Sequence, residues 1–331
     1  MMFFNTLLLG TLISISSYSW MSMWMGLEIN LLSIIPLMTS SKNIYSTEAS
    51  IKYFLTQVLA SLILLFSIIS LLLMNEFITP TMNQLMLMVM NSSLLTKVGA
   101  APFHFWFPEV MEGLKWMNCL ILLTWQKIAP MILIMNNKSS PMFLTMIIIT
   151  SLFMSGISAL NQISLRKILT FSSINHIGWL LSASMLNYSI WTLYFLVYTF
   201  LTLNMVLIFS WTKSFYLKQL NNSMNQDKTI KFFILINFMS LGGMPPFIGF
   251  LPKWLIINIL SQNQMFLLAL MMTILTLISL YIYIRLMFSS LTMMSSETKI
   301  LTISKKKINF MILILMSSLL IPISTLILNS I

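Results

Sequence analysis

Four ionisable side chains, Glu28, Lys97, Lys127 and Lys253, each lie inside a long apolar run. Only 25 of the 331 residues are charged, so charge in this chain is placed rather than scattered. A lysine or glutamate at mid-bilayer depth costs roughly 2.5–3.5 kcal/mol, so four cost on the order of 10 kcal/mol. That is comparable with the net stability of a whole domain. Ionisable residues held at such cost mark ion pathways and proton relays. The chemistry they offer is reversible protonation, because burial and a neighbouring charge decide which form a lysine or carboxylate adopts. Glu28 lies mid-span in Trp24-Met-Gly-Leu-Glu-Ile-Asn30. It is held most cheaply beside a lysine, and Lys97 is the expected partner. His104 and His176, the only histidines, have the side chain whose ordinary pKa near 6.5 suits a relay. A histidine in a helix bundle equally serves as a hydrogen-bonded packing residue. Lys97 and Lys253 have a structural alternative as donors to opened backbone carbonyls, whereas Lys127 has no local break to serve.

Other chemistry has no residues to perform it. There is no glycine-rich phosphate loop, no nucleophile triad and no redox ligand set. The single cysteine, Cys119, excludes intrachain disulfides and cysteine-ligated clusters. Two histidines without a nearby carboxylate make no metal site, so no cofactor or metal is expected on this chain. The excess of 18 basic over 7 acidic residues lies in loops and forms no continuous basic face, so no nucleic-acid partner is expected.

The elements that must position these residues are membrane helices. The chain is 58% hydrophobic with a mean hydropathy of +0.92, more apolar surface than a soluble domain could hide. The expected fold is all-α and polytopic, a single transmembrane domain of eleven spans. They run over about 2–18, 21–39, 53–74, 82–108, 117–135, 142–160, 166–186, 190–212, 232–260, 265–288 and 309–328. The first segment lacks a basic region and a small-residue cleavage site, which reads as a retained helix. Loop charge, which played no part in locating the spans, tests them. One set of alternate loops carries Lys42, Lys52, Lys115, Arg166, Lys167, Lys213, Lys218, Lys228, Lys231, Lys299 and Lys305–Lys307, and the other only Lys138. By the positive-inside rule the N-terminus is then inside and the C-terminus outside. Arg285 is near enough to a helix end to snorkel. Lys127 lies about 16 Å into its span, and Lys253 about 12 Å from the outer end of its own.

Two segments align without gaps at an offset of 144 residues. They are Gly99-Ala-Ala-Pro-Phe-His-Phe-Trp-Phe-Pro-Glu109 and Gly243-Met-Pro-Pro-Phe-Ile-Gly-Phe-Leu-Pro-Lys253. Each interrupts a span too long for one straight helix, and proline removes a backbone donor and clashes with the preceding turn. The two spans are five apart and so cross in opposite directions. The chain therefore reads as two inverted five-helix repeats, about 1–135 and 142–288, plus an extra helix at about 309–328. Corresponding broken helices in inverted halves point to a transport site. Glu109 aligns with Lys253, but it lies near a loop with Glu112 and Lys115, where a solvated or subunit-contact role fits as well.

These motifs, with Trp24-Met-Gly-Leu-Glu-Ile-Asn30 and Ser172-Ser-Ile-Asn-His-Ile-Gly-Trp179, resemble the chain 2 family of NADH-ubiquinone oxidoreductase from animal mitochondria. The overall look is that of an insect sequence. The resemblance implies an antiporter-like, proton-translocating subunit in the membrane arm of respiratory complex I, in the mitochondrial inner membrane. The N-terminus would face the matrix and the C-terminus the intermembrane space. It implies Glu28 and Lys97 as a coupled pair, Lys127 as central relay and Lys253 as terminal site. NADH, FMN, iron–sulfur clusters and ubiquinone would be bound by other chains. Partners would be other membrane-arm and accessory subunits and lipids such as cardiolipin. Bacterial relatives have three more helices than expected here. A free-standing cation/proton antiporter and a purely structural spacer are the rival readings.

Overall fold

The computed structural model describes residues 2–40, 43–74, 80–137, 140–226 and 228–292. Among them the chain forms fourteen helices and no strand beyond one isolated bridge between Ser164 and Tyr216. Six helical stretches are long and apolar enough to cross a membrane: Trp20–Met38, Ile44–Leu73, Trp116–Asn136, Pro141–Ala159, Tyr188–Thr212 and Phe266–Phe288. The expected helix at 309–328 lies outside the described residues. Contacts divide the chain into two units, Met1–Met154 and Ser155–Ile331.

The first unit begins with α1 (Met2–Ser16) and α2 (Trp20–Met38). Ser19 caps α2, its hydroxyl accepting the Ser22 amide at 3.3 Å. The two helices meet backbone to backbone. A Cβ on Gly26 would stand 2.6 Å from the Ser14 amide nitrogen, and one on Gly10 2.9 Å from that of Asn30. Small residues four apart allow this approach, as membrane helices commonly do. Next comes α3 (Ile44–Met74), which packs against α2 and against α4 (Pro80–Val98) and α5 (Trp106–Gly113). It starts earlier than the expected 53 because the Asn43 side chain accepts the Tyr45 amide at 3.2 Å and nucleates the turn. Lys52, expected in a loop, is therefore a half-buried helical residue.

The fifth expected span is also interrupted. It divides at Thr124 into α6 (Trp116–Leu123) and α7 (Trp125–Asn136). The Thr124 hydroxyl bonds the Leu120 carbonyl at 2.7 Å, a competing local bond that disturbs helices. Pro130 then withholds the donor that the Gln126 carbonyl would use. Lys127 thus stands one turn beyond a break, which corrects the expectation that it had none to serve. Then α8 (Pro141–Ala159) carries the chain from the first unit into the second.

In the second unit α9 (Leu165–Leu186) is buried on nearly every side, the pattern of a central helix. It packs on α10 (Tyr188–Thr212), α13 (Phe250–Gln262) and α14 (Phe266–Thr292). The polar stretch at 213–231, expected as a loop, contains α11 (Leu217–Gln226), which buries Leu220 and Met224. Those two apolar residues, four apart, give an otherwise polar segment one face to bury. It is followed by α12 (Lys228–Gly242).

The two Gly/Pro breaks are built alike. Helix α4 ends at Val98 and α5 starts at Trp106, and the same 144-residue offset falls on Gly242 and Phe250, where α12 ends and α13 starts. Gly99 and Gly243 adopt left-handed φ of 81° and 79°. Each amide bonds the carbonyl three residues back (Thr96 at 3.2 Å, Ser240 at 3.1 Å), and the next amide bonds the one five back (Leu95 at 3.1 Å, Met239 at 3.3 Å). This is a Schellman ending, which requires a residue that tolerates positive φ. The Ala101–Pro102 peptide is cis.

Candidate functional site

In the first unit the expected residues gather around the ends of broken helices. Lys97 lies in the last turn of α4 and is 8% exposed. It lines a small cavity of ≈ 10 Å³ with Asn30, Tyr53, Gln57, Gln126 and Pro130. Glu28 acts on it electrostatically. The two nonetheless form no ion pair, so the expected contact is not a direct one. Ion pairs among the described residues include Lys52–Glu48 at 3.0 Å and Lys52–Glu109 at 3.1 Å, both exposed. The Glu28 Oε1 atom is buried without a hydrogen-bond partner in the chain. Helix α3 packs against both α2 and α4 and brings Tyr53 and Gln57 to the space beside Lys97.

Lys127 is 1% exposed on α7, and its Nζ lies 5.5 Å from the centroid of the Phe107 ring on α5. That is within reach of a cation–π attraction. His104 lies inside the first break, 3% exposed and stacked on Phe105 at 4.6 Å between ring centroids. Its Nδ1 is buried without a partner. The opened end of α4 is closed by an indole, Trp106 Nε1 donating to the Thr96 carbonyl at 3.0 Å.

In the second unit the corresponding opening is closed by a lysine. Lys253 Nζ, 5% exposed, donates to the Gly242 carbonyl at 2.9 Å. Gly243 is the seat for this contact, since a Cβ there would stand 2.8 Å from Nζ. The Trp179 ring of α9 lies 5.7 Å from Nζ. An ammonium at a helix C-terminus satisfies an orphan carbonyl and complements the helix dipole. His176, 4% exposed, shares a 2.8 Å hydrogen bond between Nδ1 and the Tyr194 hydroxyl, with the Tyr198 ring 5.1 Å away. Asn175 beside it donates to Ser279 at 2.7 Å. A second cavity of ≈ 10 Å³ is lined by Ser155, Ser172, Ser279 and Tyr283 together with apolar residues such as Ile168 and Phe171.

Sequence reasoning missed the amides and phenols. Gln126 joins three helices: its Nε2 donates to Asn30 Oδ1 at 2.8 Å and its Oε1 accepts the Tyr53 hydroxyl at 3.4 Å. A signal was available, because Gln57 and Gln126 are amide side chains inside apolar runs, and Gln126 directly precedes Lys127. Tyr194, Tyr198 and Tyr283 gave no comparable signal among many aromatic residues. The arrangement can hold and reorient protons on lysines, a carboxylate, imidazoles and hydroxyls. No group of three or more metal-ligating side chains comes together among the described residues.

Comparison with known proteins places these features. Residues 17–279 match a family model described as NADH:quinone oxidoreductase/Mrp antiporter, TM. The chain is 51% identical to NADH-ubiquinone oxidoreductase chain 2 of Anopheles gambiae over 292 residues, covering 87% of this chain and 84% of that one. It is 50% identical to the same-named chain of Aedes aegypti over 289 residues, with the same coverages of 87% and 84%. In fold it is similar to a chain of respiratory complex I from Thermus thermophilus, with a TM-score of 0.81 and 23% identity, covering 93% of this chain and 74% of that one. A family model spanning most of the chain and relatives half identical over most of their length lead to one conclusion: the chain belongs to the NADH-ubiquinone oxidoreductase chain 2 family.

Proposed function

We propose that this chain is a proton-translocating membrane-arm subunit of NADH:ubiquinone oxidoreductase. The observation that carries the reading is the set of three lysines, 8%, 1% and 5% exposed, each within a turn or so of a helix break. Holding charge there is costly, and a break supplies the polar backbone that makes it tolerable. Glu28 and Lys97 form the coupled pair, Lys127 is the central relay and Lys253 the terminal site. His104 and His176 take part in the relay. NADH oxidation, flavin, iron–sulfur clusters and the quinone site belong to other chains, and this chain binds no cofactor of its own. It is a translocase subunit rather than a redox catalyst.

The matched breaks support a reading as two inverted five-helix repeats with an additional C-terminal helix, eleven spans in all. The basic loops support a reading with the N-terminus in the matrix and the C-terminus in the intermembrane space of the mitochondrial inner membrane. Partners are other membrane-arm and accessory subunits, with anionic lipids such as cardiolipin at the basic loops. The deciding experiment is Lys127→Met in the assembled complex. NADH oxidation is expected to become uncoupled from part of the proton transfer, lowering the proton-to-electron ratio. A normal ratio in that variant, as a spacer would give, refutes the relay.

A further inference from the structure

We propose that Tyr194 is the positioning residue of His176, its phenol holding the imidazole by Nδ1 through each protonation state and leaving Nε2 as the nitrogen that exchanges protons. This role rests on the reading of His176 as part of the relay. The two side chains are 1% and 4% exposed and share a 2.8 Å hydrogen bond between the Tyr194 hydroxyl and Nδ1. The contact is one rung of a ladder between α9 and α10. Three residues back along α9 and four on along α10, the Tyr198 hydroxyl bonds the Ser173 side chain. Residues at these spacings share a helix face, so the two rungs lie side by side and fix the register of the helix pair. The Tyr194 and Tyr198 rings, 5.9 and 5.1 Å from the imidazole between centroids, flank it from α10. On α9 itself Trp179, three residues on from His176 and on the same face, lies 5.7 Å from Lys253 Nζ.

The chemistry of the partner decides what the bond does. A backbone carbonyl or a carboxylate only accepts, which would keep the proton on Nδ1, and a carboxylate would also hold the imidazolium. An ammonium only donates. A phenol does both. It accepts from Nδ1–H when the ring is an imidazolium or carries its one proton at Nδ1, and it donates to Nδ1 when that proton sits at Nε2. The bond therefore survives every state with a turn of the O–H, and no proton passes to the phenol. A proton taken up at Nε2 of the Nδ1–H form gives the imidazolium, and its loss from Nε2 restores the starting form. A phenylalanine in place of Tyr194 would strip Nδ1 of this bond, and with it the constraint that sets which nitrogen exchanges.

Three variants of the assembled complex test this: Tyr194→Phe, His176→Gln and the two together. Tyr194→Phe keeps the ring and is expected to lower the turnover of coupled proton transfer about fivefold, the rate equivalent of one net hydrogen bond, with the KM for NADH and for ubiquinone unchanged. His176→Gln is expected to slow transfer at least as much, and the double variant to be no slower than His176→Gln. That non-additivity is what a residue acting through His176 must give and a packing residue does not. A Tyr194→Phe defect that multiplies with that of His176→Gln overturns the proposal, as does one expressed only as reduced assembly on a native gel. The two readings fail separately. Normal transfer in His176→Gln removes the histidine from the relay, and this role of Tyr194 with it. Slow transfer in His176→Gln beside normal transfer in Tyr194→Phe removes the positioning role and leaves the relay standing.

Discussion

The lysines do different work despite their common burial. Lys253 closes the Gly242 carbonyl at 2.9 Å, while Lys97 leaves the matching task to the Trp106 indole. Removing Lys253 therefore strands a buried acceptor, at a cost of about 1–3 kcal/mol, whereas removing Lys97 strands none on its own helix end. Lys253→Met is expected to speed amide hydrogen exchange across residues 242–249, and Lys97→Met to leave 98–105 unchanged. Exchange measured by mass spectrometry in the assembled particle checks both; equal effects would remove the distinction. The structural reading of Lys253 and its proposed role as terminal site are compatible, because the neutral amine still donates to the Gly242 carbonyl while the ammonium does so more strongly. Lys52 shows the contrasting case of a charge in water, where its exposed pairs with Glu48 and Glu109 contribute little.

At the scale of elements, the breaks are the most specific structures in the chain. Both were legible beforehand, since a glycine that can take positive φ followed by prolines is a local instruction to stop a helix. The return path of the second break depends on close approach. A Cβ on Gly249 would stand 1.8 Å from the Ser240 carbonyl oxygen, whereas one on Gly242 meets nothing nearer than 3.4 Å. Gly249→Ala is thus expected to reduce assembled protein severely and Gly242→Ala to be tolerated, as native gel electrophoresis with in-gel NADH oxidation would show. Similar yields of the two variants would refute the packing. The break at Thr124 was not legible. A threonine within an apolar run is ordinary, and only the Leu120 bond shows that it divides α6 from α7. Helix α11 was missed for a related reason: two buried apolar residues in a polar stretch make too weak a period to read.

For the molecule as a whole, the apolar surface carries the argument. Along α3, Ile51, Leu55, Leu59, Leu62 and Phe66 form an exposed stripe at helical spacing. Lipid or a neighbouring subunit is its natural environment. If the chain works in a membrane arm, mild detergent extraction is expected to recover it in a particle many times its own 38.1 kDa with NADH-oxidising activity. Native mass measurement decides the matter, and recovery as a small stable homo-oligomer would favour a free-standing antiporter. Family, helical class and the positions of the costly charges could all be read from the amino-acid sequence. Apolar runs, proline's missing donor, glycine's freedom and the desolvation of charge are local terms, attached to a residue and its immediate neighbours. What each charge meets was decided only by tertiary structure. Glu28 and Lys97 interact without pairing, and Gln126 ties together residues 96 and 73 positions away. Such contacts depend on which helix faces present themselves to one another, and that is a property of the packed bundle rather than of any segment within it.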